Sequence, residues 1–583
     1  MRLKSICLIF LFLLLSITIY GQSSLAESFD IYGKSSPAGD DPLPEKTMES
    51  TSDVPLLLPP LKKEKDQRLS SAASVYVKKI KLEGNKVYSD KELAFILSPY
   101  EERQITSEEL HDLKNKISLF YYTKGYINSG AIIPDQKISD GIISIKIIEG
   151  TLPEITVKGN KWLKSNYITR RLEIATGDGK APLNINTLQD RLKIIKQNPL
   201  VENINANLSP GLKLGEAELE VDIKEARPYF LTFEFSNSNS PSVSAYRGDI
   251  QFEHINITGY GDSVRLKYGI TDGLDTYSSK YEVPVSRMGT TLSLEADRSK
   301  STVVAQPFDD KDIKGDTTTM GFGFKHPFYK SVESEFLMGV KFEHRKSNTY
   351  MLDMNMSFNS GVDNGESKVS VVRFSQEWIQ RSLMQVIAAR STFSFGLDML
   401  DATKVEETIG GNENANIPNG TFAAWLGQFQ WIKRIEETQL IARLDMRISD
   451  SPLLPIEKFS IGGRSTVRGY RENFMTPDNG LIASLEWRVP IAQWNIPQLT
   501  KNQKQGMVHI VPFFDFGMGG NTKSPDPVPR TISSLGVGFR WSISEKLYSE
   551  IYWGYALRDV ERTTEYDLQD DGIHFLISAS VFE

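Results

Sequence analysis

The chain has 583 residues, a formal net charge of -7 and 40% hydrophobic residues. That length predicts several domains, and the mild acidity argues against nucleic acid as the main partner. One cysteine, Cys7, lies near the start, so a chain trimmed behind it has no thiol for disulfides or metal.

Residues 1–26 are expected to form a signal peptide. Arg2 and Lys4 give a positive start, Ile6 to Tyr20 is apolar, and cleavage would follow Gly21 or Ala26. An uncleaved anchor is the alternative. Residues 27–74 read as a Pro-rich linker, with Pro37, Pro42, Pro44, Pro55, Pro59 and Pro60. Within it, Val54 to Leu61 is apolar but broken by proline, which predicts an extended tether, with a partner-binding patch as a second use. Beyond the leader there is no 18-residue apolar run, so helical membrane spans are not expected. Barrel strands are short and half apolar, and remain open to this composition.

Residues 75–150 read β-α-α-β-β. Tyr76 to Leu82 alternates as a strand, and Ser89 with Glu92 forms a capping box ahead of Leu93, Ile96 and Leu97. Ser107 opens a second helix, where Leu110, Leu113, Ile117 and Phe120 recur at helical spacing. That stripe is the unit's own core or, alternatively, a groove for an extended client. A strand from Gly141 to Glu149 closes the unit. The order recurs in residues 151–228: a strand at Glu154 to Asn160, helices near 165–174 and 186–197, then strands near 203–208 and 216–225. Such self-similarity marks an internal repeat. The two units carry 23 Lys and Arg against 21 Asp and Glu from Ala73 to Pro228, which disfavours a nucleic-acid groove.

From Tyr229 the period becomes two. Leu231, Phe233 and Phe235 alternate with Thr232 and Glu234, and Val264, Leu266, Tyr268 and Ile270 with Arg265, Lys267 and Thr271. One face suits lipid and the other a wet lumen, so residues 229–583 are expected to form a transmembrane antiparallel β-barrel. At roughly 20 to 24 residues per strand and turn, about 14 to 18 strands fit, with about 16 the expected number. A sandwich or propeller is the alternative architecture.

The longest connection, Ser451 to Gly480, holds Gly463-Arg464-Ser465-Thr466-Val467-Arg468-Gly469-Tyr470, with Arg471 following. Loops of that length are usually functional or disordered. Three arginines beside lipid need carboxylates or a water-filled lumen. No H-E-x-x-H, P-loop or G-x-S-x-G occurs, and the six histidines are scattered. The acids at Asp309 to Asp312 and Asp570-Asp571 complete no EF-hand and read as loop acids. No enzyme activity, cofactor or metal is expected.

Two β-α-α-β-β units followed by a barrel bearing Val467-Arg468-Gly469-Tyr470 resemble the TpsB-type outer-membrane transporters of two-partner secretion, which export haemolysins and filamentous haemagglutinins. Phe513-Phe514-Asp515-Phe516-Gly517 resembles that family's partner motif on a following strand. Asn198-Pro199 and Leu208-Ser209-Pro210-Gly211 resemble the end of its second POTRA domain. The resemblance implies POTRA domains at 75–150 and 151–228, placed in the periplasm. It implies a loop inside the barrel with Arg468 paired to Asp515, and Phe513 and Gly517 beside it on the wall. It also implies a large haemolysin- or adhesin-like exoprotein as partner, contacts with outer-membrane lipid, and insertion by the barrel assembly machinery. Many members carry a plug helix before the first POTRA domain, and the tether shows no amphipathic helix of that kind. Phe582 is followed by Glu583, which alters the usual terminal aromatic. The alternatives are an insertase of the same superfamily and a passive solute porin.

Overall fold

A computed structural model describes residues 54–58 and 74–581, apart from 139, 405–416, 498, 501–504, 524 and 561–564. The expected leader, its cleavage point, most of the tether, any plug helix and the Phe582-Glu583 terminus lie outside the described residues.

In the first unit the strand expected at Tyr76 to Leu82 is two, Ser74–Val77 and Lys79–Glu83. The break at Lys78 separates two sheets. Ser74–Val77 pairs antiparallel with Arg103–Thr106, a four-residue strand that sequence periodicity did not mark. Lys79–Glu83 pairs parallel with Ile142–Ile148, whose other edge takes Gly130–Ile132. Helix Asp90–Leu97 begins with the expected Ser89–Glu92 capping box. Helix Ser107–Thr123 opens at Ser107 as expected, and Thr106 caps it in a second box with Glu109.

Leu113, Ile117 and Tyr121 are wholly buried against Val77, Ile80, Ile143 and Ile145, and Leu110 packs at their margin. The stripe is therefore this unit's own core. Burial, with the Glu149 carboxylate beside it, pushes the Tyr121 hydroxyl above the ordinary tyrosine range, and it donates to Glu149 at 3.1 Å. Truncating Leu113 to alanine leaves a cavity here and is expected to cost about 3 kcal/mol. The measurement is urea unfolding of the full chain followed by its helical circular dichroism.

The second unit places helices Ser165–Thr176 and Ile185–Lys196 against a sheet of Thr151–Lys158, Glu216–Glu225 and Val201–Pro210. Leu56 and Leu57 add a short parallel strand to the edge of Val201–Pro210, facing Ala206 and Asn207, and Val54 is buried in the same core. The described part of the tether is thus extended, as its prolines dictate, and is held by this unit.

Among the described residues, 16 strands from Tyr229–Ser236 to Ile573–Ser580 form a closed antiparallel barrel. The first and last strands join from Thr232–Ser580 to Ser236–Leu576. Closure pairs every strand edge, as a bilayer requires. Phe233, Phe235, Leu266, Ile270, Leu535 and Phe539 are exposed on the outside. The alternating polar residues meet one another inside: Arg265 pairs with Glu253 at 2.7 Å and Lys325 with Glu377 at 3.0 Å. The second unit sits on turns at the N-terminal mouth. Lys164 N–H donates to the Gly259 carbonyl at 3.0 Å, and Gln197 donates to the Val332 carbonyl at 3.2 Å. The long 450–478 connection starts from the opposite rim, so the loop and the second unit sit at different mouths of the barrel.

Candidate functional site: a loop clamped inside the barrel

The 450–478 connection runs between strands Thr438–Ser449 and Asn479–Gln493. It folds back into the lumen as a hairpin. Phe459 N–H donates to the Pro477 carbonyl at 2.9 Å, and Ile461 and Met475 exchange backbone hydrogen bonds at 2.9 and 3.0 Å. Phe459, Ile461, Val467, Tyr470 and Met475 make a small buried core with Leu426, Ile482 and Ile532 of the wall. A polar lumen thereby acquires an apolar seat for this loop, which contributes hydrophobic stabilisation in proportion to the area covered.

Each of the three arginines finds a carboxylate. Arg464 pairs with Glu550 on strand Leu547–Ala556. Arg471 grips Asp570 with both Nε and Nη2 at 2.6 Å. Asp570 is therefore occupied by an arginine, and the described residues hold no group of three His, Cys, Asp or Glu that could take a metal.

Arg468 is buried, at 3% exposure, and its partner Asp515 is wholly buried. Its Nε donates to Asp515 Oδ2 and its Nη2 to Oδ1, both at 2.8 Å, and its backbone N–H reaches Oδ2 at 3.0 Å. This is a two-pronged fork, the geometry that makes arginine–carboxylate pairs specific. Ser484 Oγ donates to Asp515 Oδ1 at 2.6 Å, leaving neither carboxylate oxygen bare. Nη1 donates to Glu486 at 2.6 Å, and Arg488 holds that carboxylate's other oxygen at 3.2 Å. The guanidinium carbon lies 3.7 Å from the centre of the Phe513 ring and 4.8 Å from that of Tyr552. A cation over an aromatic face in a site cleared of water is worth on the order of 2 kcal/mol.

The wall residues arrive together because Phe513, Asp515 and Gly517 are alternate positions of one strand, Met507–Gly520, and so share its inner face. Gly517 makes room for the loop: a Cβ there would lie 2.6 Å from Ile461 and 2.9 Å from Val467. Gly469 makes room in the other direction, with φ of +90° and a phantom Cβ 2.8 Å from the Gly554 carbonyl oxygen. Its N–H donates to His574 at 3.3 Å. Tyr470 donates its hydroxyl to the Ser533 carbonyl at 3.0 Å and accepts the Arg558 N–H at 3.2 Å. Gly469→Val meets both strain and collision, so the mutant loop is expected to lose its seat at a cost of about 1–3 kcal/mol from backbone strain alone. Faster protease cleavage within 450–478 in intact outer membranes is the check.

All seven expected site residues, Val467, Arg468, Gly469, Tyr470, Phe513, Asp515 and Gly517, meet in one place. Glu486 and Arg488 alternate with Leu485, Trp487 and Val489, a pattern that says no more than that they face the lumen, yet Glu486 is a direct partner of Arg468. Glu550 carried no sequence signal beyond being an acid on an inward position.

The geometry has relatives. Residues 215–541 match the family described as haemolysin secretion/activation protein ShlB/FhaC/HecB, and residues 75–150 match the ShlB-type POTRA domain. The heme/hemopexin transporter protein HuxB of Haemophilus influenzae is 21% identical over 473 residues, 77% of this chain and 78% of that protein. The hemolysin transporter protein ShlB of Serratia marcescens is 22% identical over 417 residues, 70% and 71% of the two chains. The solved structure of CdiB from Escherichia coli overlays with a TM-score of 0.66 at 18% identity, covering 91% of this chain and 94% of that one. That overlay shows the shared fold.

Proposed function

The chain belongs to the haemolysin secretion/activation family, and from that premise we propose how it moves one large partner exoprotein through its own lumen. It is an outer-membrane transporter with its POTRA region in the periplasm. Residues 75–150 and 151–228 act as two POTRA units that receive the unfolded partner, by adding it as a strand or seating it in an apolar groove. The barrel from 229 onward then conducts it outward. Folding of the partner outside supplies the drive, since no nucleotide is available there.

The observation that carries this reading is the clamp of Arg468 on Asp515 and Glu486, which fastens a long loop inside the barrel. A pore built for steady diffusion of small solutes gains nothing from a loop held there. A conduit that must stay shut until a polypeptide arrives does. Val467, Gly469 and Tyr470 seat the loop, and Phe513 and Gly517 shape the wall that receives it. The exposed apolar belt supports contact with outer-membrane lipid, and a barrel of this kind needs the barrel assembly machinery for insertion. The partner is a haemolysin- or adhesin-like exoprotein, and the work is transport without catalysis.

The test is removal of the transporter from a strain that makes its large partner exoprotein. The exoprotein is expected to vanish from the medium while other outer-membrane barrels keep their levels. Unchanged export with falling barrel levels would assign the chain to membrane-protein insertion instead.

A further inference from the structure

The inward loop is held at a second place, far round the wall from Arg468. Its short turn Pro455–Glu457 puts Glu457 at 0% exposure among three arginines from three strands. Arg373 Nη2 reaches both carboxylate oxygens, at 3.0 and 2.9 Å. Arg345 Nη1 lies 3.4 Å from Oε1 and also donates to the Ile456 carbonyl at 3.0 Å. Arg447 Nη2 lies 3.8 Å from Oε2. Arg373 is itself oriented by Glu343, at 2.6 Å, and by Ser394, at 2.7 Å. Beside the turn, Leu453 and Leu454 are fully buried against Val369, Val371 and Phe422. Asp478, at the other foot of the loop, accepts the Leu453 N–H at 3.0 Å and pairs with Lys458 at 3.5 Å.

Arg345 and Arg373 stand on the seventh and eighth strands of the barrel, whereas Asp515 stands on the thirteenth. The loop therefore bridges two sectors of the wall. One clamp fixes its base and the other its tip, and only ten residues lie between Glu457 and Arg468. A buried carboxylate stripped of these partners, or these arginines stripped of it, is strongly unfavourable, so the base has a single low-energy position.

We infer that Glu457 is the positioning residue that sets the loop's base so that Arg468 reaches Asp515. It is a second lock of the pore, built from charge at a different site. This inference rests on reading the barrel as a gated conduit.

The test uses the full-length purified protein in planar bilayers, with heat-modifiable migration on gels as the check of folding. Glu457→Ala is expected to fold and to raise the open fraction of the channel on the order of tenfold, as is Arg468→Ala. Glu457→Asp, which keeps a carboxylate among the three arginines, is expected to recover part of the closed state. Arg373→Gln probes the same lock from the wall side should Glu457→Ala not fold. A folded Glu457→Ala or Arg373→Gln that conducts like the wild type overturns the proposal, as does a folded Glu457→Asp that stays as open as Glu457→Ala. Channels that open in the variants while export of the partner never depended on the protein would leave the lock standing and remove the transport reading.

Discussion

Arg468→Ala is expected to reduce export of the partner to the level of cells lacking the transporter, with the barrel still present in the outer membrane. The substitution leaves Asp515 and Glu486 facing each other across the space the guanidinium filled. Removing one member of such a buried group typically costs about 3–5 kcal/mol, because the remaining charges are stranded away from water. Attraction of one such pair alone amounts to about 4 kcal/mol at an effective dielectric of 20. The loss falls on the loop, since no barrel ladder passes through Arg468. Lysine at this position keeps the charge but not the fork, and is expected to recover only part of the function. Exoprotein in the medium and heat-modifiable barrel in the membrane are measured in parallel. Normal export by the alanine variant would show that the clamp is dispensable.

Deletion of residues 75–228 is expected to have as large an effect by a different route. The barrel keeps its own closed hydrogen-bonded circuit, including the seam from Thr232 to Ser236. What it loses is the platform on its periplasmic mouth. Lys164 donates to Gly259 and lies 4.3 Å from the Tyr260 ring centre, and Asp178 pairs with Arg287, so the second unit is fastened to the turns around the entrance. Without it, an unfolded client has no exposed strand edge or groove to join before the pore. Export is expected to stop while the truncated barrel remains heat-modifiable. Export that continues through the bare barrel would remove residues 75–228 from client capture.

The arginine-rich loop was the most legible part of the site, because arginine near lipid forces a search for carboxylates and the search has few endings. Asp515 could be named from its motif. Glu486 and Glu550 could not, since inward acids recur along most strands and only the register between strands decides which of them meets Arg468 or Arg464. Glu457 was silent for the same reason: its three arginines come from strands spread over more than a hundred residues. Helix starts were legible where a capping box existed, at Ser89 and again at Ser107, although the box partner of Glu109 there, Thr106, was not named. The strand Arg103–Thr106 escaped because four largely polar residues carry no alternation to read. The barrel itself was legible from its period of two, but period alone does not say which strand closes on which.

The central claim is that the partner travels inside the barrel. It is tested most directly by stalling the partner in transit behind a folded, disulfide-locked domain and placing a photo-crosslinking residue at Lys267 or, separately, at neighbouring Leu266. Lys267 faces inward, within 3.5 Å of Glu234, and Leu266 faces lipid. The expected result is a crosslink to the stalled partner from position 267 and none from position 266. Crosslinks from 266, or export that proceeds with no crosslink from 267, would contradict passage through the lumen.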